Sequence, residues 1–153
     1  MDAARRSALI EQYKDGYLAV RAALDQLSGE ELDARPTPDG WTPREIAHHL
    51  ADSETTSFIR LRRLLAEDHP AILSYDEEEF ARRLHYDRPI ASSLEVFRAV
   101  RVASAELLGS LSEDEWAREG THNESGRYTV EDWLEIYASH AHNHAAQMLS
   151  AKR

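Results

Sequence analysis

The chain has 153 residues, of which 42% are hydrophobic and 30% are charged, and this composition fits one globular domain spanning residues 1–153. Its 28 acidic residues outnumber its 18 lysines and arginines, and the net charge of −10 disfavours binding to nucleic acid or to anionic membrane surfaces. We find no cysteine, no apolar run near the roughly 20 residues that span a bilayer and no signal peptide, so we expect a cytoplasmic protein.

Four long amphipathic patterns predict four helices. Apolar residues recur at a period near 3.6, and Thr42, Ser92 and Thr129 stand where a side chain can cap a helix start. Glu45 and Glu95 follow two of these caps by three residues and complete capping boxes. The predicted helices run from about Asp2 to Leu27, from Thr42 to Glu67, from Ser92 to Gly109 and from Thr129 nearly to the C-terminus.

The connection between the second and third predicted helices is long and contains one further helical segment, Ser74–Phe80. A long crossover is one way to connect the helices of a four-helix bundle, and no convincing strand pattern is present. The sequence therefore predicts an all-α four-helix bundle with a crossover that contains a short helix.

A faint internal repeat links the two halves of the chain. Leu27–Leu32 and Leu111–Trp116 both begin Leu-Ser, continue with acidic residues and lead through a polar loop to a threonine-capped helix. Two related helical hairpins would produce this pattern, and so would two capped turns that merely look alike. The sequence leaves both explanations open.

Three histidines form the pattern with the clearest chemical meaning. His140 and His144 are one helical turn apart on the inward stripe of the fourth helix, so their imidazoles share a face. His49 lies beside the core stripe of the second helix, from which it can face them. Three imidazoles suit one divalent metal ion and leave a coordination position open for water or substrate. Core histidines that hydrogen-bond to neighbouring groups are the alternative, and we predict the metal site because all three occur together.

Polar neighbours of these histidines are candidates for orienting them. Asp52 follows His49 by three residues, Glu54 is two residues further on, and Gln147 follows His144 by three residues. A ligating histidine commonly donates its second N–H to a carboxylate or carbonyl, and a carboxylate near the ion can act as a general base. Ordinary surface positions explain the same polar residues equally well.

Other conspicuous residues have structural explanations. His48 and His142 point away from the three histidines, since each residue turns a helix by roughly 100°, and we predict them at a surface or an interface. Trp41 precedes the cap of the second helix in a hydrophobic-staple position, and Trp116 and Trp133 are predicted in the core. A solvated helix face, in preference to a phosphate site, explains the clustered arginines Arg60, Arg62 and Arg63.

Two segments resemble the DinB/YfiT-like superfamily of metalloenzymes. Gly40–Glu54 is similar to the family's tryptophan-containing lead into the second helix and to its His-Leu-Ala-Asp-like ligand motif. His140–Gln147 is similar to the family's C-terminal His-x-x-x-His segment, and Tyr75–Glu77 looks like its mid-chain connection. The resemblance spans almost the whole chain in the same order, and the two histidine segments are specific only together.

The resemblance implies a topology, a metal and a set of ligands. It implies an up-down-down-up bundle, often a homodimer, with zinc or nickel on His49, His140 and His144. The histidine doublet makes His48 an alternative to His49, which helical phase favours. Some members transfer low-molecular-weight thiols such as bacillithiol or mycothiol to electrophiles. Glu54 stands where YfiT-like members tend to carry a further histidine, so the resemblance leaves the subfamily and the reaction open.

We therefore expect a cytoplasmic, homodimeric metalloenzyme that acts on a small-molecule substrate. Its three-histidine site would activate a thiol or water, as a low-molecular-weight-thiol transferase or a hydrolase, while Asp52 or Glu54 orients ligands or moves protons. The alternative is a non-enzymatic stress-response or small-molecule-binding module whose metal is structural or absent.

Overall fold

Four long helices, three short helices and three short strands make up the computed structural model, which describes all 153 residues. None of the helices is both long enough and apolar enough to cross a membrane. The long helices are α1 (Ala3–Asp25), α3 (Pro43–Ala66), α5 (Ala91–Leu108) and α7 (Val130–Leu149), the short ones α2 (Gly29–Leu32), α4 (Glu77–Arg83) and α6 (Glu113–Trp116), and the strands β1 (Ala71–Ile72), β2 (Glu119–His122) and β3 (Gly126–Thr129).

The hydrogen bonds and ion pairs between helices give the direction of each long helix. A partner further along α3 contacts a residue further along α5, so these two helices are parallel. The same holds for α1 and α7. Helices α3 and α7 run antiparallel. The pairs are His48–Ser93 and Arg62–Ser104 for α3 with α5, Arg5–Glu135 and Gln12–His142 for α1 with α7, and Ser57–Trp133 and Glu54–His140 for α3 with α7. This confirms the predicted up-down-down-up bundle.

The expectation that the chain contains no strand was wrong. Strand β1 pairs in parallel with β2 through Ala71 and Thr121, and β2 pairs antiparallel with β3 through Glu119 and Thr129. Each strand has only two to four residues, and β1 lies about 50 residues from its partner. Such short strands carry no readable alternation, because distant pairing and not local pattern creates them.

The crossover from α3 to α5 carries the predicted short helix three residues further along than expected. Asp76 caps α4 by accepting a 3.0 Å hydrogen bond from the Glu79 backbone N–H. The expected solvated arginine face was also wrong, because Arg60 donates to the Leu73 carbonyl at 2.6 Å and Arg63 to the Ala71 carbonyl at 2.8 Å. These half-buried arginines hold the crossover against α3.

Side-chain caps begin α3 and α7 as predicted. The Thr42 hydroxyl accepts from the Glu45 N–H, although the Glu45 carboxylate binds Arg35 and leaves the capping box incomplete. Thr129 and Asp132 form a full reciprocal box.

The predicted cap of α5 was wrong. The N-cap is Ile90, two residues before Ser92, and its side chain offers no hydrogen bond. Ser92 therefore lies inside the helix, and Glu95 pairs with Arg98 on the helix surface. The neighbouring Ser93 turns inward and contacts His48 of α3.

The internal repeat is visible in the elements. Each half contains a long helix, a one-turn helix that begins with a serine capping box, and a threonine-capped long helix. Helix α1 corresponds to α5, and α3 corresponds to α7. With these correspondences, the parallel pair α1 and α7 is equivalent to the parallel pair α5 and α3. The halves differ in the second connection, which is a loop at residues 33–41 and a β-hairpin at residues 119–129.

Two apolar clusters fill the bundle, and both use α7. One surrounds Trp133 and includes Trp116, while the other surrounds Phe97 and Leu50. Both tryptophans therefore lie in the core, as predicted. His140 follows α7 residues of the first cluster and precedes those of the second, so the site lies where the two clusters meet.

Candidate metal centre

His49, His140 and His144 converge between α3 and α7. One ligand nitrogen from each imidazole can be chosen so that all three lie within 4.8 Å of one another. The ring centroids are separated by 5.6 Å for His49 and His140, 4.8 Å for His49 and His144, and 4.6 Å for His140 and His144. The rings of Trp41 and His49 are nearly perpendicular with centroids 4.8 Å apart, so the tryptophan before α3 also limits how this imidazole can turn.

The two α7 imidazoles aim the same nitrogen atom at each other. His140 Nε2 and His144 Nε2 are 3.2 Å apart. Two nitrogens that bind one tetrahedral zinc ion at about 2.0–2.1 Å stand roughly 3.3 Å apart. His144 Nδ1 is hydrogen-bonded to Gln147 Oε1 at 2.8 Å, which places its proton on Nδ1 and leaves a lone pair on Nε2. The spacing and the lone pair suit a shared cation.

The predicted role for Gln147 fits this geometry, and Glu54 stands in an equivalent place for His140. Glu54 Oε1 lies 3.7 Å from His140 Nδ1, which is buried and has no hydrogen-bond partner. A carboxylate facing Nδ1 favours the tautomer with its proton there and its lone pair on Nε2. His49 Nδ1 is also buried without a partner. A nitrogen of His49 together with the facing Nε2 atoms of His140 and His144 suits one divalent ion, while Nδ1 of His140 keeps its proton toward Glu54.

Burial favours the neutral form of the His49 and His144 imidazoles. Burial, with smaller contributions from His144 and His140, lowers the pKa of His49 to about 3. Burial and the neighbouring His140 lower the pKa of His144 to about 4. Neutral imidazoles are the form that binds a metal.

The sequence profile of the DinB superfamily matches residues 12–148. The chain belongs to the DinB superfamily. A relative from Oceanobacillus iheyensis is 35% identical over 141 residues, covering 92% of this chain and 82% of the relative. A relative from Geobacillus thermodenitrificans is 33% identical over 140 residues, covering 88% of this chain and 77% of the relative. Both relatives are provisionally named metal-dependent hydrolases.

The fold also matches a solved structure of the same kind. YfiT from Bacillus subtilis superimposes with a TM-score of 0.93 at 26% identity, covering 100% of this chain and 89% of YfiT. That protein is described as a "probable metal-dependent hydrolase with an unusual four-helix bundle topology". The parallel pairing of α3 with α5 and of α1 with α7 gives this DinB superfamily member the same arrangement.

His48 does not belong to the cluster, and its predicted surface or interface role was wrong. It is fully buried, with Nδ1 at 2.7 Å from Ser93 Oγ and Nε2 at 2.8 Å from the Arg88 carbonyl. Both nitrogens are therefore occupied. Helical phase was the correct guide to His49. His142 is half-buried, with Nε2 at 2.9 Å from the Gln12 carbonyl on α1.

Asp52 lies near the cluster without contacting it by a hydrogen bond. Its Oδ2 accepts a 2.5 Å hydrogen bond from the Tyr86 hydroxyl, and no hydrogen bond joins it to His49. Burial, strengthened by this contact with Asp52, raises the pKa of Tyr86. The predicted role of Asp52 in orienting His49 has no support in this geometry.

Glu54 is fully buried and forms an ion pair with Arg101 of α5. Arg101 donates from Nη2 to Oε1 at 2.5 Å and from Nε to Oε2 at 3.0 Å. Burial alone would raise the pKa of Glu54, but Arg101 and His140 outweigh it and hold the pKa below its usual value. Arg101 was not predicted, although it falls at helical spacing between the buried Phe97 and Leu108 and so marks a charge on an inward face.

A polar cavity of about 680 Å³ borders the cluster through Tyr137, whose ring lies 5.7 Å from that of His140. Its volume is in the range of small-molecule sites. None of the three histidines lines this cavity directly, and none lines the larger groove of about 800 Å³ between α1 and α5. The polar cavity is lined by Ser53, Arg60, Ser74, Tyr75, Asp76, Glu77, Glu78, His122, Glu124 and Tyr137.

Proposed function

We propose that this protein is a divalent-metal-dependent enzyme that hydrolyses a small molecule or transfers a thiol to one. The observation that carries the proposal is the convergence of three imidazoles, two of which face each other at 3.2 Å through Nε2. Zinc and nickel are the metals that the family resemblance implies, and three imidazoles suit both ions, as they also suit copper and iron. The provisional names of its relatives favour hydrolysis.

The protein's own contribution is to position the ligands. A divalent ion on the three imidazoles would lower the pKa of water or a thiol and so supply a nucleophile near neutral pH. Gln147 orients His144, Glu54 faces His140, and Trp41 restricts His49. Glu54 is too deeply buried to touch a substrate, so we assign it to orienting His140 and not to proton transfer.

The substrate would enter through the polar cavity beside Tyr137. Arg60 donates to the Tyr137 hydroxyl at 3.2 Å on one wall, while the carboxylates of Asp76, Glu77 and Glu124 line the same cavity. Carboxylates outnumber arginines there, so we expect uncharged or cationic substrates to be preferred to anionic ones.

The first experiment is elemental analysis of protein purified without immobilised-metal chromatography. We expect about one metal ion per chain in the wild type and in His142→Ala, and little metal in His144→Ala. The His142 variant is a matched control, because it removes an imidazole two residues away that points to α1. Full metal retention in His144→Ala would refute the three-histidine site.

The reaction type is tested on metal-loaded protein with two chromogenic probes. An uncharged ester tests hydrolysis, and an uncharged thiol mixed with an electrophile tests thiol transfer. Turnover of the ester without thiol, abolished in His144→Ala and kept in His142→Ala, is expected for a hydrolase. Turnover only with thiol would assign the transferase. No turnover in either assay, with metal bound, would favour the binding module.

A further inference from the structure

The ion pair between Glu54 and Arg101 crosses the interior of the bundle. Arg101 is 2% exposed and Glu54 is 0% exposed, so both charges are removed from water. Arg101 also donates from Nη1 to the Tyr13 carbonyl of α1 at 2.7 Å, and its guanidinium lies 4.1 Å from the centre of the Tyr13 ring. A buried ion pair is weak support for stability, since an apolar pair of similar volume often serves as well.

The backbone of α1 is shaped to admit the guanidinium. Gly16 lies in the middle of this helix, and a Cβ atom there would stand 2.8 Å from Arg101 Nη1 and 2.8 Å from the Ala141 Cβ. Glycine lowers helix stability relative to alanine, and here it provides the space that Arg101 occupies. The position of Arg101 is therefore determined by α1 as well as by Glu54.

The ion pair ends at the metal centre. The Glu54 oxygen that accepts from Arg101 Nη2 is the same Oε1 that lies 3.7 Å from His140 Nδ1. Arg101 donates two hydrogen bonds to this carboxylate, and together they determine its plane. Oε1 therefore cannot turn away from His140 without breaking these hydrogen bonds. His140 Nδ1 has no other partner.

We propose that Arg101 is a positioning residue for the metal centre, acting through Glu54 to hold His140 with Nε2 directed at the ion. This inference rests on the proposed metal site. It adds a residue on α5, a helix that carries no ligand, to the determinants of metal affinity. Partners of this kind typically change metal affinity by roughly 10–100-fold when they are removed.

The test is a double-mutant cycle on the full chain with Arg101→Lys and Glu54→Gln. The measurement is the apparent zinc dissociation constant from competition with a chromogenic chelator, with thermal melting of each metal-free protein beside it. Lysine keeps the charge and loses the two-pronged contact, so we expect Arg101→Lys to weaken zinc binding by roughly 3–10-fold. Glu54→Gln should weaken it by roughly 10–100-fold, and the double variant should match Glu54→Gln within about twofold.

A control away from the metal centre is the pair Arg6 and Glu113, in which Arg6 is buried, Glu113 is exposed and Nη2 contacts both carboxylate oxygens at 2.9 and 2.7 Å. Arg6→Lys with Glu113→Gln should leave zinc affinity unchanged. The inference would be overturned if Arg101→Lys left zinc affinity unchanged, or if it weakened zinc binding equally with Glu54 and with Gln at position 54. An equal loss of zinc affinity in the control variant would also overturn it. Wild-type protein that binds no zinc would instead refute the proposed metal site.

A second variant covers the case in which Arg101→Lys does not fold. Glu54→Gln with Arg101→Met removes both buried charges, and we expect it to fold because no unpaired charge remains. Its zinc affinity should equal that of Glu54→Gln. A further loss beyond Glu54→Gln would show that Arg101 acts by a route other than this carboxylate and would overturn the inference.

Discussion

Replacing Gly16 by alanine should destabilise the bundle, although alanine is the better helix former. In an exposed helix interior this change stabilises by about 1 kcal/mol. Here the new methyl group would lie 2.8 Å from both the Ala141 Cβ and Arg101 Nη1, and 3.3 Å from Arg101 Cζ. Carbon atoms in contact normally stand about 3.5–4.0 Å apart. Arg101, Ala141 or the helix backbone must therefore shift to make room for the methyl group.

Neither neighbour of the new methyl group can move cheaply. Arg101 is held by Glu54 and by the Tyr13 carbonyl, and Ala141 lies on α7, which packs along α1. Overpacking costs about 1–3 kcal/mol, and losing a hydrogen bond from a charged group costs about 1.5–3 kcal/mol. After subtracting the helix gain, we expect a net loss of about 1.5–5 kcal/mol, or about 3–20 °C in melting temperature for a chain of this size.

Urea unfolding of the metal-free protein, followed by circular dichroism, measures this loss. Gly29→Ala is the matched control, because a Cβ there meets no atom within 4 Å and should be neutral or stabilise by up to about 1 kcal/mol. A Gly16→Ala protein as stable as the wild type would refute the close packing of α1, Arg101 and α7.

Three further outcomes follow from the same packing. Trp133→Phe should lower stability in urea by about 1–3 kcal/mol, because it leaves a cavity and loses the 2.9 Å bond to the Ser57 carbonyl; a change below about 0.5 kcal/mol would contradict this. Tyr86→Phe should lower stability by about 1 kcal/mol, because it loses the hydrogen bond to the half-exposed Asp52, and zinc stoichiometry should stay at the wild-type value. Loss of zinc would instead show that Asp52 supports the metal site. Chelator-treated wild-type protein should keep its helical circular dichroism spectrum and melt cooperatively, since both apolar clusters form without metal. Zinc at 1,000 times its dissociation constant should add about 4 kcal/mol to the free energy of unfolding. An unfolded metal-free chain would contradict this expectation.

The amino-acid sequence was sufficient for several features whose neighbours are three or four residues apart, although the same spacing misplaced the cap of α5 at Ser92. The four long helices, the caps Thr42 and Thr129 and the shared face of His140 and His144 all depend on such spacing. Helical phase separated His49 from His48 for the same reason. Each of these features is determined by the turn of a single helix, which the order of residues specifies directly.

Other features depended on which helices lie side by side. His48 is buried because Ser93 and the Arg88 carbonyl meet it from residues more than 35 positions away. Glu54 could be interpreted as a surface carboxylate until Arg101, 47 residues further along, was placed beside it. The short strands depend on contacts of the same range.

The sequence alone therefore determined the helices and the histidine pair on α7, and tertiary structure decided which charges are buried and what they orient. The physical reason is that burial is a property of two surfaces in contact. A glutamate on α3, an arginine on α5 and a glycine on α1 each look ordinary or unfavourable in their own helix. Only the parallel packing of α3 with α5, closed by α1 and α7, places them in one ion pair that ends at His140.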